Sequence, residues 1–245
     1  MMETNLSNET STDENLSLLF EFYKAPQSSI WRTNMVTALN GAISFQGKSA
    51  PISNQVDRLA FRVLRSLATA IVVGAKNVLA EGYFSPLIRP NPIDENGALL
   101  DRYPQLVVVT NGQTHLGDSR LASESTQNFT IVTSSEGYGR IKADLKKIEV
   151  GLEIICCGEK SVDLQKARTK LDEMFPGLKV AEGGPSLLTN MLRDQIIDQI
   201  ALTVTPKIAP TTGPFIADKE TSLLDLRLYK HLVINETLLL LYNLH

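Results

Sequence analysis

The sequence predicts a single α/β domain, with a central, mostly parallel, twisted sheet flanked by helices. Three observations carry that expectation. Short, wholly apolar runs such as Ala70-Ile71-Val72-Val73-Gly74 recur, as in strands covered on both faces. Between them lie stretches whose apolar residues fall at helical spacing, so that strand and helix alternate along the chain. A length of 245 residues and a hydrophobic content of 43% fit one large domain with a substantial core, and no repeat or linker divides it.

Residues 1–15 are rich in Asn, Ser, Thr and Glu and read as a disordered tail, leaving 16–245 as the domain. A short helix is expected over 16–28, around Leu16, Leu19, Phe20 and Tyr23. Ile30 to Leu39 reads as the first strand and Asn40 to Pro51 as a polar loop. Ser53 is the expected cap of a helix carrying Val56, Leu59, Ala60, Val63, Leu64 and Leu67, an amphipathic pattern. The strand Ala70–Gly74 and a short helix from Ala75 to Ala80 follow. Residues 82–104 hold four prolines and no period, which makes them a long loop. Further strands are expected at Leu106–Thr110, Phe129–Val132 and Leu152–Cys156. Asp163 caps a helix bearing Leu164, Ala167, Leu171 and Met174. A strand over 178–181, a helix opened by Gly-Gly-Pro and a strand from Ile197 to Val204 come next. Residues 206–228 read as irregular, and His231 to Leu241 closes the sheet.

Composition excludes several classes of function. A net charge of -3 without a basic block argues against a nucleic-acid partner. Cys156 and Cys157 are adjacent in a strand pattern and point to opposite faces, so they read as free thiols in a reducing compartment. The three histidines, at 115, 231 and 245, form no pair at metal-ligand spacing, and no zinc or other metal site is expected. Neither a G-x-S-x-G elbow nor a Walker A loop occurs. The first 15 residues lack an apolar core segment, and no apolar run approaches a membrane span, so a cytoplasmic protein is expected.

One local motif points to chemistry. Glu182-Gly183-Gly184-Pro185-Ser186 joins the apolar run Leu178–Ala181 to a helix carrying Leu187, Leu188, Met191 and Leu192. Two glycines permit a sharp turn and close approach of a ligand, and Pro185 suits the first helical position. Unpaired amides at such a helix start favour phosphate. The same residues also make a plain strand-to-helix turn, and they lack the Rossmann and P-loop spacings. Glu182 is the harder residue to dismiss, because a carboxylate ending a buried strand needs a partner or a ligand. Other polar residues fall at expected strand ends: Asn40, Ser49 and Ser53 after the first strand, Asn77 and Glu81 after Ala70–Gly74. Asn77 and Glu81 also read as cap and surface charge, and Arg65 as a solvated arginine beside the apolar stripe. In a parallel sheet the loops after strands 30–39, 70–74 and 178–181 meet at the carboxyl ends, where ligands bind.

With those segments in place, the chain resembles the riboflavin-biosynthesis pyrimidine reductase family, over roughly residues 30 to 243. Four stretches in order carry the likeness. They are Asn34 to Ile43; Ile52-Ser53 with Asp57-Arg58 and Leu64-Arg65; Ala70 to Ala75 with Asn77 to Tyr83; and Glu182 to Leu188 with Asp198 and Leu202 to Pro206. The resemblance implies a dihydrofolate reductase-like fold, NADPH as cofactor and a homodimer. It implies reduction of a ribosylaminopyrimidine 5′-phosphate, with hydride passing to the ribose C1′ to give a ribityl chain.

Carried over residue by residue, the resemblance puts Glu182, Arg65, Ser49 and Asn40 on the substrate, with Arg65 at the 5′-phosphate. It puts Val36, Asn77, Glu81 and the run Gly183, Gly184, Pro185, Ser186, Leu187 and Leu188 on the cofactor. It names no catalytic residue. Asn40 stands where the family has Asp, Asn77 where it has Thr, and Glu81 where it has Asp. These departures support an alternative, a nucleotide-binding relative without chemistry or with another substrate. The zinc deaminase signature that often accompanies this reductase, H-x-E with P-C-x-x-C, is absent from these residues.

Overall fold

The computed structural model describes residues 12–25, 28–87, 91–148, 150–210 and 223–244. Its nine strands form one sheet in the order β5-β4-β3-β2-β6-β1-β7-β9-β8. These are β1 (Ile30–Ala38), β2 (Ala70–Gly74), β3 (Gln105–Val109), β4 (Phe129–Thr133), β5 (Leu152–Cys156), β6 (Leu178–Gly183), β7 (Gln199–Thr205), β8 (Arg227–Ile234) and β9 (Thr237–Asn243). Strands β1 to β7 pair in parallel; β9 and β8 are added antiparallel at one edge. The helices are α1 (Thr12–Tyr23), α2 (Gln55–Leu67), α3 (Ala75–Glu81), α4 (Arg120–Glu124), α5 (Ser135–Asp144), α6 (Leu164–Met174) and α7 (Pro185–Arg193).

Each face of the sheet carries its own core, as alternating strand side chains require. On one face, Val72, Val107, Val132 and Ala181 pack with Leu164 and Leu171 of α6 and Leu188 and Met191 of α7. On the other, Ile71, Val73, Val108 and Ile131 pack with Val78 of α3, Leu121 of α4 and Ile141 of α5. Val56, Ala60, Val63 and Leu64 of α2 pack against Leu16 and Leu19 of α1 and against Ala201, Leu239 and Leu241. The free thiols are split as expected, Cys157 buried and Cys156 half-buried. Among the described residues, no helix is long and apolar enough to cross a membrane.

Several boundaries differ from the sequence reading. Helix α1 begins at Thr12, inside the expected tail, and ends at Tyr23 rather than 28; residues 1–11 lie outside the described set. Leu39 is exposed and not part of β1. The cap of α2 is Asn54, whose side chain accepts from the Asp57 amide, while the Ser53 hydroxyl turns to the Asp57 carboxylate. The expected closing strand is a hairpin: Asn235 and Glu236 both take positive φ, 44° and 61°, and turn β8 into β9. The expected irregular segment therefore ends where β8 starts at Arg227, and its residues 211–222 lie outside the described set. Helices α4 and α5 were not anticipated. Helix α5 buries only Gly137 and Ile141, too thin a stripe to show as a period.

Two irregularities shape the centre of the sheet. Strands β1 and β6 pair only over Ile30–Thr33 and Leu178–Ala181, whereas β1 stays paired with β7 from Arg32 to Ala38. A wedge therefore opens between β1 and β6 at their carboxyl ends. On the other side of β6, Val72 faces Ala181 but Val73 faces Gly183, so Glu182 is the extra residue of a β-bulge. Bulges re-aim side chains and end pairing, and both happen here.

Candidate active site

The wedge lies at the carboxyl end of a parallel sheet, where the crossovers reverse direction, which is the ligand position of open α/β sheets. The outcome shows in burial. β1 has a strand on each side, yet Asn34, Met35 and Val36 are only half-buried, while Ile30 to Thr33, Thr37 and Ala38 are buried. A cleft thus opens over the middle of the strand. The chain after β2 meets the end of β6 through Asn77, whereas the loop after β1 is held by Lys207 and Ala209 after β7.

One wall is the glycine turn. Gly183 and Gly184 have φ of +96° and +78°, a backbone that side chains rarely adopt. A side chain at Gly183 would meet only Met35 Sδ at 3.9 Å, and one at Gly184 only Asn77 Cβ at 3.6 Å. The glycines are thus required by backbone shape rather than by crowding; Gly183 is buried and Gly184 half-buried. Gly184 caps α7 and Pro185 takes its first position. The amides of Ser186 and Leu187 follow in the first turn, where a helix has no acceptors of its own. Ser186 is exposed, Leu187 packs beside Gly74, and the Leu188 side chain is in the core. Asn77 sits against the turn, its amide 3.4 Å from the Glu182 carbonyl. Glu81 ends α3 one turn further on, exposed, with no hydrogen bond to the turn.

The opposite wall is α2. Arg65 is not a solvated surface residue: its side chain is 4% exposed and that of Glu182 2%. The Arg65 Nε donates to Glu182 Oε1 at 2.7 Å and its Nη2 to Oε2 at 2.6 Å, a two-pronged ion pair. The Tyr83 hydroxyl donates to Oε2 at 2.8 Å. The guanidinium lies 4.3 Å over the Phe61 ring. Burial alone would lower the Arg65 pKa, but the Glu182 carboxylate outweighs it and holds the pKa above its ordinary value. Burial, then the Glu182 charge, pushes the Tyr83 phenol well up, so it stays a donor. The bulge makes this pairing possible by turning Glu182 toward α2.

Two turns back on α2, Asp57 is a second buried carboxylate, 8% exposed. The Ser53 hydroxyl donates to its Oδ2 at 2.6 Å, and Thr203 of β7 lies beside it. Thr203 is directly across from Val36, so Asp57 faces the half-open part of β1. No cation forms an ion pair with it among the described residues; Arg58 and Lys207 act from a distance. Burial raises its pKa, only partly opposed by the Ser53 and Thr203 hydroxyls.

Of the expected substrate residues, Arg65 and Glu182 are brought together at the wedge. Asn40 is exposed and tied to the chain after β7: its Nδ2 donates to the Ala209 carbonyl at 2.7 Å, and the Ala209 amide donates to its Oδ1 at 3.4 Å. Ser49 is half-buried in the loop between β1 and α2, where its carbonyl accepts from the Ile52 and Ser53 amides. Lys207 clamps that loop through the Pro51 and Ser53 carbonyls. Val36 is half-buried and packs against Ala38, Ala42 and Ile52. The sequence reading assigned no role to Asp57, Phe61 or Tyr83. For Asp57 a signal existed, since it shares a helix stripe with Ala60 and Leu64 at i+3 and i+7.

The chain belongs to the RibD C-terminal domain family, whose model matches residues 32–240. It is 24% identical over 197 residues to the riboflavin biosynthesis protein RibD of Actinobacillus pleuropneumoniae, covering 78% of this chain and 48% of that protein. It therefore spans about half the length of that relative. It is 27% identical over 175 residues to the 2,5-diamino-6-ribosylamino-4(3H)-pyrimidinone 5′-phosphate reductase of Methanothermobacter thermautotrophicus, covering 71% of this chain and 76% of that one. Among solved structures, a pyrimidine reductase-like protein from Corynebacterium diphtheriae superposes with a TM-score of 0.68 at 21% identity, covering 94% and 98% of the two chains. The Saccharomyces cerevisiae riboflavin biosynthesis reductase Rib7 does so with a TM-score of 0.59 at 16% identity, covering 91% and 92%. The expected family is thus borne out, and the solved structures share the expected α/β fold.

Proposed function

We propose that this chain is an NADPH-dependent reductase that converts a ribosylaminopyrimidine 5′-phosphate to its ribitylamino product in riboflavin biosynthesis. The observation that carries this reading is the wedge between β1 and β6, with the positive-φ glycine turn that opens α7 on one side and Arg65 of α2 on the other. A nicotinamide dinucleotide suits the residues present: Gly183 and Gly184 carry no side chain of their own and let a ligand approach the turn, and the α7 first-turn amides offer donors to phosphate. Val36, Asn77, Glu81 and Gly183 through Leu188 would hold it, Leu188 by backbone alone because its side chain is in the core. When bound, the reduced nicotinamide supplies the hydride.

The chain's own residues bind and align the other reactant. The substrate lies on the α2 face, over Asn34 and Val36, with Arg65 and Glu182 acting as one paired wall rather than as two free charges. Ser49 and Asn40 belong to the loops that bound the substrate side. Reduction of an open-chain C1′=N imine needs a hydride at C1′ and a proton at nitrogen, and the cleft brings both reactants to the end of one strand. Asn40 does not favour a non-catalytic relative, because its amide has a task at Ala209 that a carboxylate could not perform.

The test is to mix purified protein with NADPH and the 5′-phosphates of the 2-amino and 2-oxo pyrimidines and follow loss of the reduced-nicotinamide absorbance. Turnover of either supports the reading; intact NADPH binding with no turnover of both excludes it. A cytoplasmic homodimer completes the proposal. Edge strand β8 supports the dimer: Leu228 and Tyr229 are 51% and 54% exposed, and among the described residues no further strand pairs with this edge, which invites a partner. Light scattering that finds only monomer at micromolar concentration removes that part.

A further inference from the structure

We propose that Asp57 reads the pyrimidine ring itself, accepting two hydrogen bonds from the amino group and adjacent ring N–H of a 2-amino-4-oxopyrimidine. The chain is then selective for the aminopyrimidine over its deaminated 2-oxo counterpart. The inference rests on the reductase reading for the identity of its ligand. It goes beyond that reading in naming the residue that chooses between the two substrates.

Asp57 is more than nine-tenths buried and has no cation within ion-pair distance among the described residues. A buried carboxylate in that condition is costly unless a ligand completes its hydrogen bonding. The Ser53 hydroxyl donates to Oδ2, and the buried Thr203 and Tyr23 hydroxyls, which have no other partner among the described residues, act on the group from the protein side; a carboxylate with four acceptor positions keeps capacity beyond these. Its position fits a ring rather than a phosphate. Asp57 and Arg65 lie eight residues apart on one helix, roughly 12 Å, with Phe61 on the same side between them. Arg65 and Glu182 neutralise one another, whereas Asp57 has no cation at ion-pair distance among the described residues, so a phosphate is repelled more strongly at Asp57 and the heterocycle of an extended substrate lies toward it. Asn34 and Val36 of β1, the strand paired with Thr203, are half-buried.

The chemistry then discriminates. A 2-amino group and the neighbouring N–H are parallel donors that match both oxygens of a carboxylate. A 2-oxo group sets an acceptor against the carboxylate, leaving one oxygen unpaired and repelled. Sites built to take a specific donor reject the analogue without it by large factors, on the order of 10⁴-fold in favourable cases.

The experiment measures binding of the bare heterocycles, 2,5,6-triaminopyrimidin-4-one and 5,6-diaminouracil, to the whole protein by calorimetry, alongside kcat/KM for the two ribosyl 5′-phosphates. Wild type is expected to favour the 2-amino forms by at least ~10-fold, the scale of one mismatched hydrogen bond to a charged group. Asp57→Asn keeps an acceptor for Ser53 and presents one acceptor and one donor, matching the 2-oxo edge. It is expected to lower the preference or reverse it, while NADPH binding and the folded spectrum stay unchanged. Asp57→Ala should lose the preference without reversing it. Equal weakening of both heterocycles by Asp57→Asn, no wild-type preference, or no binding of either heterocycle overturns the inference. Preferential binding of the heterocycles without reduction of either phosphate sustains it and sinks the reductase reading instead.

Discussion

Two buried carboxylates lie along the same helix, Asp57 on α2 and Glu182 against its last turn, and they are held in opposite ways. Glu182 takes two hydrogen bonds from Arg65 and one from Tyr83, so its charge is spent inside the protein. Asp57, two turns away, has a serine hydroxyl and no cation. The first joins three segments, the end of β6, the last turn of α2 and the chain after α3, and so fixes the shape of the wedge. The second is buried among hydroxyls, and its charge has no partner of opposite sign at ion-pair distance among the described residues. A buried acid is therefore not a functional signal by itself; its partners decide whether it is architecture or a reader.

The comparison breaks most visibly at Arg65. Arg65→Met leaves Glu182 buried without its cation and is expected to cost about 3–5 kcal/mol, a drop of about 6–20 °C in Tm for a domain of this size. Adding Glu182→Leu should restore much of the stability but not turnover, which thermal unfolding and kinetics together separate. Tyr83→Phe removes one hydrogen bond to a carboxylate and should cost about 1.5–3 kcal/mol, read by denaturant midpoint. Gly184→Ala forces a side chain into φ of +78° and should cost about 1–3 kcal/mol. Its NADPH affinity, read by fluorescence titration, should fall more than its pyrimidine affinity.

The smallest effect concerns Asp57 and pH. Its folded pKa is raised, so the folded state holds the proton more tightly than the unfolded one. Stability is then lost as pH rises from the unfolded value, about 3.9, through the folded one. Tyr23 from α1, Arg58 on α2, Lys207 after β7 and the Ser53 and Thr203 hydroxyls surround it. Asp57→Asn removes this loss, so the variant should gain in Tm over wild type as pH rises through that window. A difference in Tm that does not change with pH contradicts the assignment.

The same contrast explains what could be read from the sequence. The strands, the α2 stripe and the Gly-Gly-Pro start of α7 were legible because each is a local rule of periodicity or backbone freedom. The ion pair was not, because Arg65 and Glu182 are 117 residues apart and meet only through a bulge that no local pattern announces. Asp57 was hidden by its place in a helix first turn, where an acid has an ordinary reading. The hairpin at Asn235-Glu236 was missed because Glu stands where Gly usually marks such a turn.

The most direct test of the account follows the hydride itself. The protein is incubated with NADPH deuterated at both C4 positions and each ribosylaminopyrimidine 5′-phosphate, and the products are examined by mass spectrometry and NMR. The account predicts a single deuterium at C1′ of a ribitylamino product. A protein that binds NADPH but leaves both deuteriums on the nicotinamide with either pyrimidine contradicts it.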